Sequence, residues 1–226
     1  MLSYIVSGKH IYSKIVDYLY KKINQTGRFA MAKGKIVVFT SRSAGGKTTL
    51  MDALIRTLNA LTVQSVTTRA ERIGDKNTDY EFISFFQFCR DLFSGKFVSW
   101  RKATKKWFRT DDFYAVRTHK INEALASGDI YVRSLTPDTI PRWHSVAGDR
   151  AIFIHLMAPD EEETRRRMIE RGGMTSAQID ERISEERNWD QDIDALKASG
   201  IPIHIIPVMS LEDVLENTIQ IIESSV

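Results

Sequence analysis

The segment Lys35 to Thr49 carries the residue types and spacing best suited to chemistry on phosphate. An apolar run, Ile36-Val37-Val38-Phe39, leads into Ser41-Arg42-Ser43-Ala44-Gly45-Gly46. Lys47-Thr48-Thr49 follows and opens a helix-period pattern with Leu50, Leu54, Leu58 and Leu61 on one face. Strand, small-residue loop, Gly-Lys-Thr and helix in that order are the layout of a phosphate-binding loop; the alternative is an ordinary strand-to-helix turn. Backbone N–H groups at a helix start point at anions, and the helix dipole adds to the attraction. Ser43, Ala44, Gly45 and Gly46 would offer N–H groups, and Lys47 would reach the β- and γ-phosphates of a bound nucleotide. Thr48 would offer its hydroxyl to Mg²⁺, with Thr49 beside it. The motif departs from its usual form at two places: Ser41 stands for the first glycine, and the fourth position is Ala44.

A second group of residues fits the same chemistry. Ser65-Val66-Thr67-Thr68-Arg69-Ala70-Glu71-Arg72 is followed by a turn at Gly74 and by Asp79-Tyr80-Glu81-Phe82. Arg69 and Arg72 lie three apart, and Tyr80 sits beyond the turn. Arginine grips phosphate bidentately, and a tyrosine hydroxyl adds a neutral donor. A phosphoryl-transfer enzyme needs such a second anion site, because the acceptor must be held in line with the γ-phosphate. The alternative is a charged hairpin with solvent-facing arginines.

The elements that must position these residues are legible as patterns. Apolar segments at Ile36–Thr40, Ile130–Val132, Ala151–Met157 and Ile201–Val208 read as strands, the first buried on both faces. Helix patterns cover Asp112–Ala126, Asp160–Glu170, Ser176–Arg187 and Leu211–Ile222, and Ser84 is placed to cap a helix over Phe85–Phe93 closed by Gly95. Short strands are expected over Asp79–Ser84 and Phe97–Trp100. Strand–helix alternation argues for an α/β fold with a parallel sheet core flanked by helices, interrupted by a small β-rich insertion. The core takes residues 34–64 and 114–226, the insertion 65–113, and a charged helical lid about 158–187. Residues 1–33 stand apart: Ile11, Ile15, Leu19 and Ile23 form one helix stripe among lysines, an N-terminal helical extension.

The 226 residues are 42% hydrophobic and carry a net charge of +3, from 32 basic and 29 acidic side chains. That balance suits an anionic small-molecule substrate and gives no basic stripe for nucleic acid. Cys89 is the one cysteine, so an internal disulfide and a cysteine zinc site are excluded, and a cytoplasmic setting is expected. No apolar run is long enough to span a membrane.

The loop, the Thr67-Thr68-Arg69-x-x-Arg72-x-Gly74…Asp79-Tyr80-x-Phe82 segment, the Trp100 region and the Arg171-Gly172 lid resemble the guanylate kinase family, in that family's order, over about residues 34–210. The resemblance implies a P-loop nucleotide kinase using ATP and Mg²⁺, with an acceptor-binding domain and a lid that closes. It implies that Lys47, Thr48 and Thr49 hold ATP phosphates and Mg²⁺, and that Arg69, Arg72 and Tyr80 bind the acceptor phosphate. Ser65 and Thr110 fall where hydroxyls touch the acceptor base. Arg167, Arg171 and Arg182 fall on the lid arginines; Arg171 and Arg182 are assigned catalytic roles beside Lys47, and Arg167 is assigned to ATP. Salt bridging along the helix from Glu161, Glu162 and Glu163 explains most of the remaining lid charge. A homodimer is compatible with this reading.

Three departures bear on the acceptor. Ser99 stands where the family has a glutamate that accepts from guanine, and one hydroxyl does not replace a carboxylate accepting two donors. Phe108 stands for a phosphate-binding tyrosine. Arg133, Ser134, Leu135 and Thr136 follow the strand Ile130-Tyr131-Val132 where aspartates are expected. Asp111 or Asp112 is a candidate replacement carboxylate. The resemblance therefore implies GMP as acceptor, with ribose 1,5-bisphosphate phosphokinase, whose acceptor has no base, as the alternative. A third reading is a non-catalytic phosphopeptide-binding module, which the intact Gly46-Lys47-Thr48-Thr49 disfavours.

Overall fold

The computed structural model describes residues 34–71, 75, 79–103 and 112–225. The expected N-terminal helix, Arg72, Phe108, Thr110 and Asp111 lie outside the described residues.

Two sheets organise the chain. The first has five strands, β1 (Lys35–Thr40), β2 (Leu61–Thr62), β7 (Ile130–Ser134), β8 (Ala151–Leu156) and β9 (Ile203–Ile206), in the order β2-β7-β1-β8-β9. Every pairing in it is parallel. Its central strand β1 alternates between two cores, which explains why Ile36–Phe39 are all apolar and fully buried. Val37 and Phe39 pack with Leu50 and Leu54 of α1 (Lys47–Leu58) and with Leu215, Ile219 and Ile222 of α8 (Leu211–Ser224). Ile36 and Val38 pack on the other face with Ile121 of α3 (Thr118–Ala126), Trp143 of α4 (Ile140–Ala147) and Ile193 of α7 (Trp189–Ala198). The sequence patterns leave α4 and α7 unassigned.

The second sheet has four strands in the order β4-β3-β6-β5: β3 (Ser65–Thr67), β4 (Tyr80–Phe82), β5 (Phe97–Ala103) and β6 (Asp112–Arg117). β3 and β4 run parallel, and β6 pairs antiparallel with both β3 and β5. Here the structure departs from the helix expected over Asp112–Ala126. Its first half is strand, because Phe113, Tyr114 and Val116 favour a pleated surface and find partner strands on both sides. Only Thr118–Ala126 is helical. α2 (Phe85–Phe93) covers this sheet through Phe88, packed with Val66 and Ala115. Ser84 caps it by accepting from Gln87 N at 3.2 Å, as its sequence signal predicts.

α5 (Glu161–Arg171) and α6 (Ser176–Glu186) form a helical hairpin over the span expected from sequence to be the lid. α6 begins with a capping box in which Gln178 N donates to Thr175 Oγ1 and Thr175 N donates to Gln178 Oε1. The lid's small core of Met168, Ile179 and Ile183 takes in Ala44 of the loop.

Candidate active site

The loop Ser41–Gly46 leaves the C-terminal end of β1, at the middle of the parallel sheet. Open α/β sheets bind ligands outside the carboxyl ends of their strands. The chain turns into α1 through Gly46, at φ 85°, a left-handed conformation that a glycine adopts without cost. Ala44 also takes positive φ, at 60°. Gly46, the N-cap of α1, makes no side-chain cap hydrogen bond, and the start of such a helix is suited to binding an anion. Ser41, in place of glycine, is fully buried and turns its hydroxyl to Arg42 O. A Cβ added at Gly45 would lie 1.9 Å from that Ser41 Oγ, so a side chain at 45 would force the serine hydroxyl out of its place.

Lys47 folds back over the loop and donates to the backbone carbonyls of Ser41 and Arg42. Burial pushes its ammonium down to about 8, with the charge of Glu186 opposing and that of Arg182 adding to the shift. A bound phosphate would further favour the charged form of this amine. Thr48 and Thr49 are exposed at the start of α1. Among the described residues no group of three His, Cys, Asp or Glu side chains forms a metal cage. A Mg²⁺ held by Thr48 and nucleotide phosphates needs none.

Two of the three lid arginines reach the loop. Arg167 Nη1 donates to Ala44 O at 3.3 Å, and Arg182 Nε donates to Ser43 Oγ at 3.1 Å. Arg171 is the exposed last residue of α5. The sequence patterns do not single out Glu186, the last residue of α6, yet its carboxylate accepts from both Ser43 N and Ser43 Oγ. The Arg182/Glu186 spacing of i, i+4 reads in sequence as an ordinary helix ion pair. A further tie joins α7 to the loop: Asp190 meets both Arg42, at 3.3 Å, and His155 Nε2, at 2.9 Å. Burial keeps His155 below its ordinary pKa.

The second constellation gathers at the neighbouring sheet. Arg69 is buried at the end of β3, its guanidinium 4.8 Å from the Tyr80 ring centroid and 5.3 Å from that of Phe82. Asp75 holds it bidentately, with both N···O distances at 2.7 Å, and raises its pKa above the ordinary value. Sequence alone shows Asp75 only as a turn residue. Ser65 is buried, and its Oγ accepts from Arg133 Nη2, while Arg133 Nη1 donates to Val63 O at 2.9 Å. Ser99 is also buried, its Oγ accepting from Trp143 Nε1 at 3.0 Å. Arg133 lies at the C-terminal end of β7, the strand paired with β1, so the phosphate loop and the residue that grips β3 leave adjacent strands. Asp112 is buried in β6.

The guanylate kinase family model matches residues 33–196. The chain belongs to the guanylate kinase family. A guanylate kinase of Rubrobacter xylanophilus is 30% identical over 156 residues, 68% of this chain and 78% of that protein. One from Bacteroides fragilis is 27% identical over 155 residues, again 68% of this chain and 74% of that protein. The crystal structure of guanylate kinase from Anaplasma phagocytophilum shares the fold, with a TM-score of 0.57 at 21% identity over 87% of this chain and 88% of that one. The P-loop kinase architecture expected from sequence is therefore the one observed.

Proposed function

We propose that this chain transfers the γ-phosphoryl group of Mg-ATP to GMP. The observation that carries the reading is a Lys47 phosphate loop at the end of β1, joined through Arg133 of the adjacent strand β7 to a β3–β4 site built on Arg69 and Tyr80, in a chain of the guanylate kinase family. The loop N–H groups of Ser43–Thr49 and Lys47 bind the donor phosphates. Thr48 would hold Mg²⁺ together with the phosphates, and the metal would supply charge neutralisation to the transferring group. Arg69, Arg72 and Tyr80 take the acceptor phosphate, and Arg69 exchanges its carboxylate partner Asp75 for the phosphate's oxygens. Arg182, with Arg167 and Arg171, offsets charge on the transferring group as the lid closes. The acceptor is already an anion, so no general base is required, and catalysis rests on positioning.

The base is read by donors. Ser65 Oγ accepts from Arg133 and Ser99 Oγ accepts from Trp143, which leaves each hydroxyl its own proton to donate. Guanine presents acceptors at O6 and N7 that suit such donors. Residues 65–113 together with the rest of β6 serve as the acceptor domain, and 158–187 as the lid.

The test follows ADP release from Mg-ATP with GMP, dGMP, AMP, UMP and ribose 1,5-bisphosphate in parallel. GMP is expected to turn over fastest. An inert GMP beside an active ribose 1,5-bisphosphate overturns the acceptor assignment, and Lys47→Ala is expected to abolish turnover in a folded protein.

A further inference from the structure

Glu186 occupies an unusual place for a lid carboxylate. It is buried at the last turn of α6, and its two oxygens accept from the backbone N–H and the hydroxyl of Ser43, inside the phosphate loop. Arg182, one turn earlier on the same helix, donates to Ser43 Oγ and pairs with Glu186 Oε1 at 2.7 Å. The charge of Glu186 is also felt at Lys47, where it favours the protonated amine.

We propose that Glu186 is a built-in competitor of the nucleotide: its carboxylate holds the loop N–H and the lid arginine that donor phosphates require, so ATP binds only by expelling it. The inference rests on the reading of Ser43–Thr49 as the donor loop. An N–H carries one proton, and a phosphate oxygen approaching Ser43 N meets a carboxylate already bonded to it. Two anions sharing Ser43, Lys47 and Arg182 repel each other at short range, where little water intervenes to screen them. A buried carboxylate also leaves such a site only if its donors find another anion. The exchange is therefore coupled in both directions. Phosphate frees Glu186, and because Glu186 and Arg182 ride on one helix, its release lets α6 reposition Arg182 for the transferring group. Ala44 packs with Met168, Ile179 and Ile183, so the same segment of loop senses the lid by contact as well as by charge.

The experiment is calorimetric titration of Mg-ATP, and separately of inorganic tripolyphosphate, into the full-length wild type, Glu186→Gln, Glu186→Ala and Lys47→Ala. Glu186→Gln keeps the side chain's shape and removes its charge. Both Glu186 variants are expected to bind ATP about tenfold more tightly than wild type, and tripolyphosphate by a similar factor. Unchanged or weaker binding overturns the proposal and makes Glu186 a positioning residue for Ser43 and Arg182. A gain for ATP with none for tripolyphosphate also overturns it, because the competition is for phosphate. Equal ATP binding by wild type and Lys47→Ala removes the donor-loop reading itself. ATP binding lost in Lys47→Ala but unchanged in both Glu186 variants removes only the competitor. Thermal melts confirm that each variant is folded, and Glu186→Gln decides if Glu186→Ala is not.

Discussion

Lys47 illustrates how one side chain's surroundings set the conditions under which it works. Its ammonium is pulled under the loop, where burial lowers its pKa to about 8 from an ordinary 10.5. The charged form, which phosphate needs, is therefore lost as pH rises through about 8 instead of surviving well above it. ATP affinity is expected to be flat below about pH 7 and then to fall, approaching about tenfold per pH unit, until the bound lysine itself titrates. Lys47→Arg, whose guanidinium stays protonated, is expected to flatten that decline. Titrations from about pH 6.5 to about pH 9.5 check both slopes; a wild-type affinity that does not fall across this range contradicts the assigned contact. Ser41 and Gly45 make the companion point. The serine hydroxyl lies in the space that a side chain at 45 would need, so the residue choices at 41 and 45 are not independent.

At the scale of elements, the second sheet is secured by charge as well as by its aromatic core of Phe88, Phe97 and Phe113. Asp91 of α2 is buried and accepts from Lys96 Nζ at 2.8 Å and Arg117 Nη1 at 2.9 Å, while Arg117 also binds Glu81 of β4. One helix and two strands thus meet at a single guanidinium. Hydrogen bonding from Lys96, against the opposing effect of burial, and then from Arg117 holds the Asp91 carboxyl down at about 2. Its contribution is complete above the ordinary carboxylate pKa of 3.8 and is lost as pH falls through 2. Asp91→Ala leaves Arg117 and Lys96 short of a partner and is expected to cost about 3 kcal/mol in urea unfolding at neutral pH. The wild-type advantage should vanish at about pH 2. A variant as stable as wild type at neutral pH would show that the cluster does not secure the sheet.

Across the whole molecule, Arg133 ties the two sheets together. It leaves the end of β7 and donates to Val63 O and Ser65 Oγ on the chain entering the second sheet. Burial pushes its guanidinium down to about 10, still protonated at neutral pH. The second sheet is thus tied to the core sheet by this arginine as well as by the Trp143–Ser99 hydrogen bond. Arg133→Ala is expected to raise the KM for GMP about tenfold while the KM for ATP changes less than about twofold, with Arg133→Lys falling between them. Steady-state kinetics with each substrate varied in turn reads the split. An equal rise in both constants would assign the arginine to general support of the sheet.

What could be read from the sequence was local. Ile36–Phe39, Gly46-Lys47-Thr48 and the Ser84 cap are signalled by neighbours a few residues apart, since a strand-to-helix turn and a capped helix are made by the chain near them. The same holds for Thr67-Thr68-Arg69 and Tyr80, which carried the family resemblance. The tertiary structure decided what no local pattern encodes. Phe113-Tyr114-Ala115-Val116 became strand because β3 and β5 were there to pair with it. Glu186 met Ser43 across 143 positions, and Arg133 met Ser65 across 68. A charge at helix spacing looks the same whether it faces water or a phosphate loop. Its free energy depends on which distant donor the fold brings to it, and only packing supplies that.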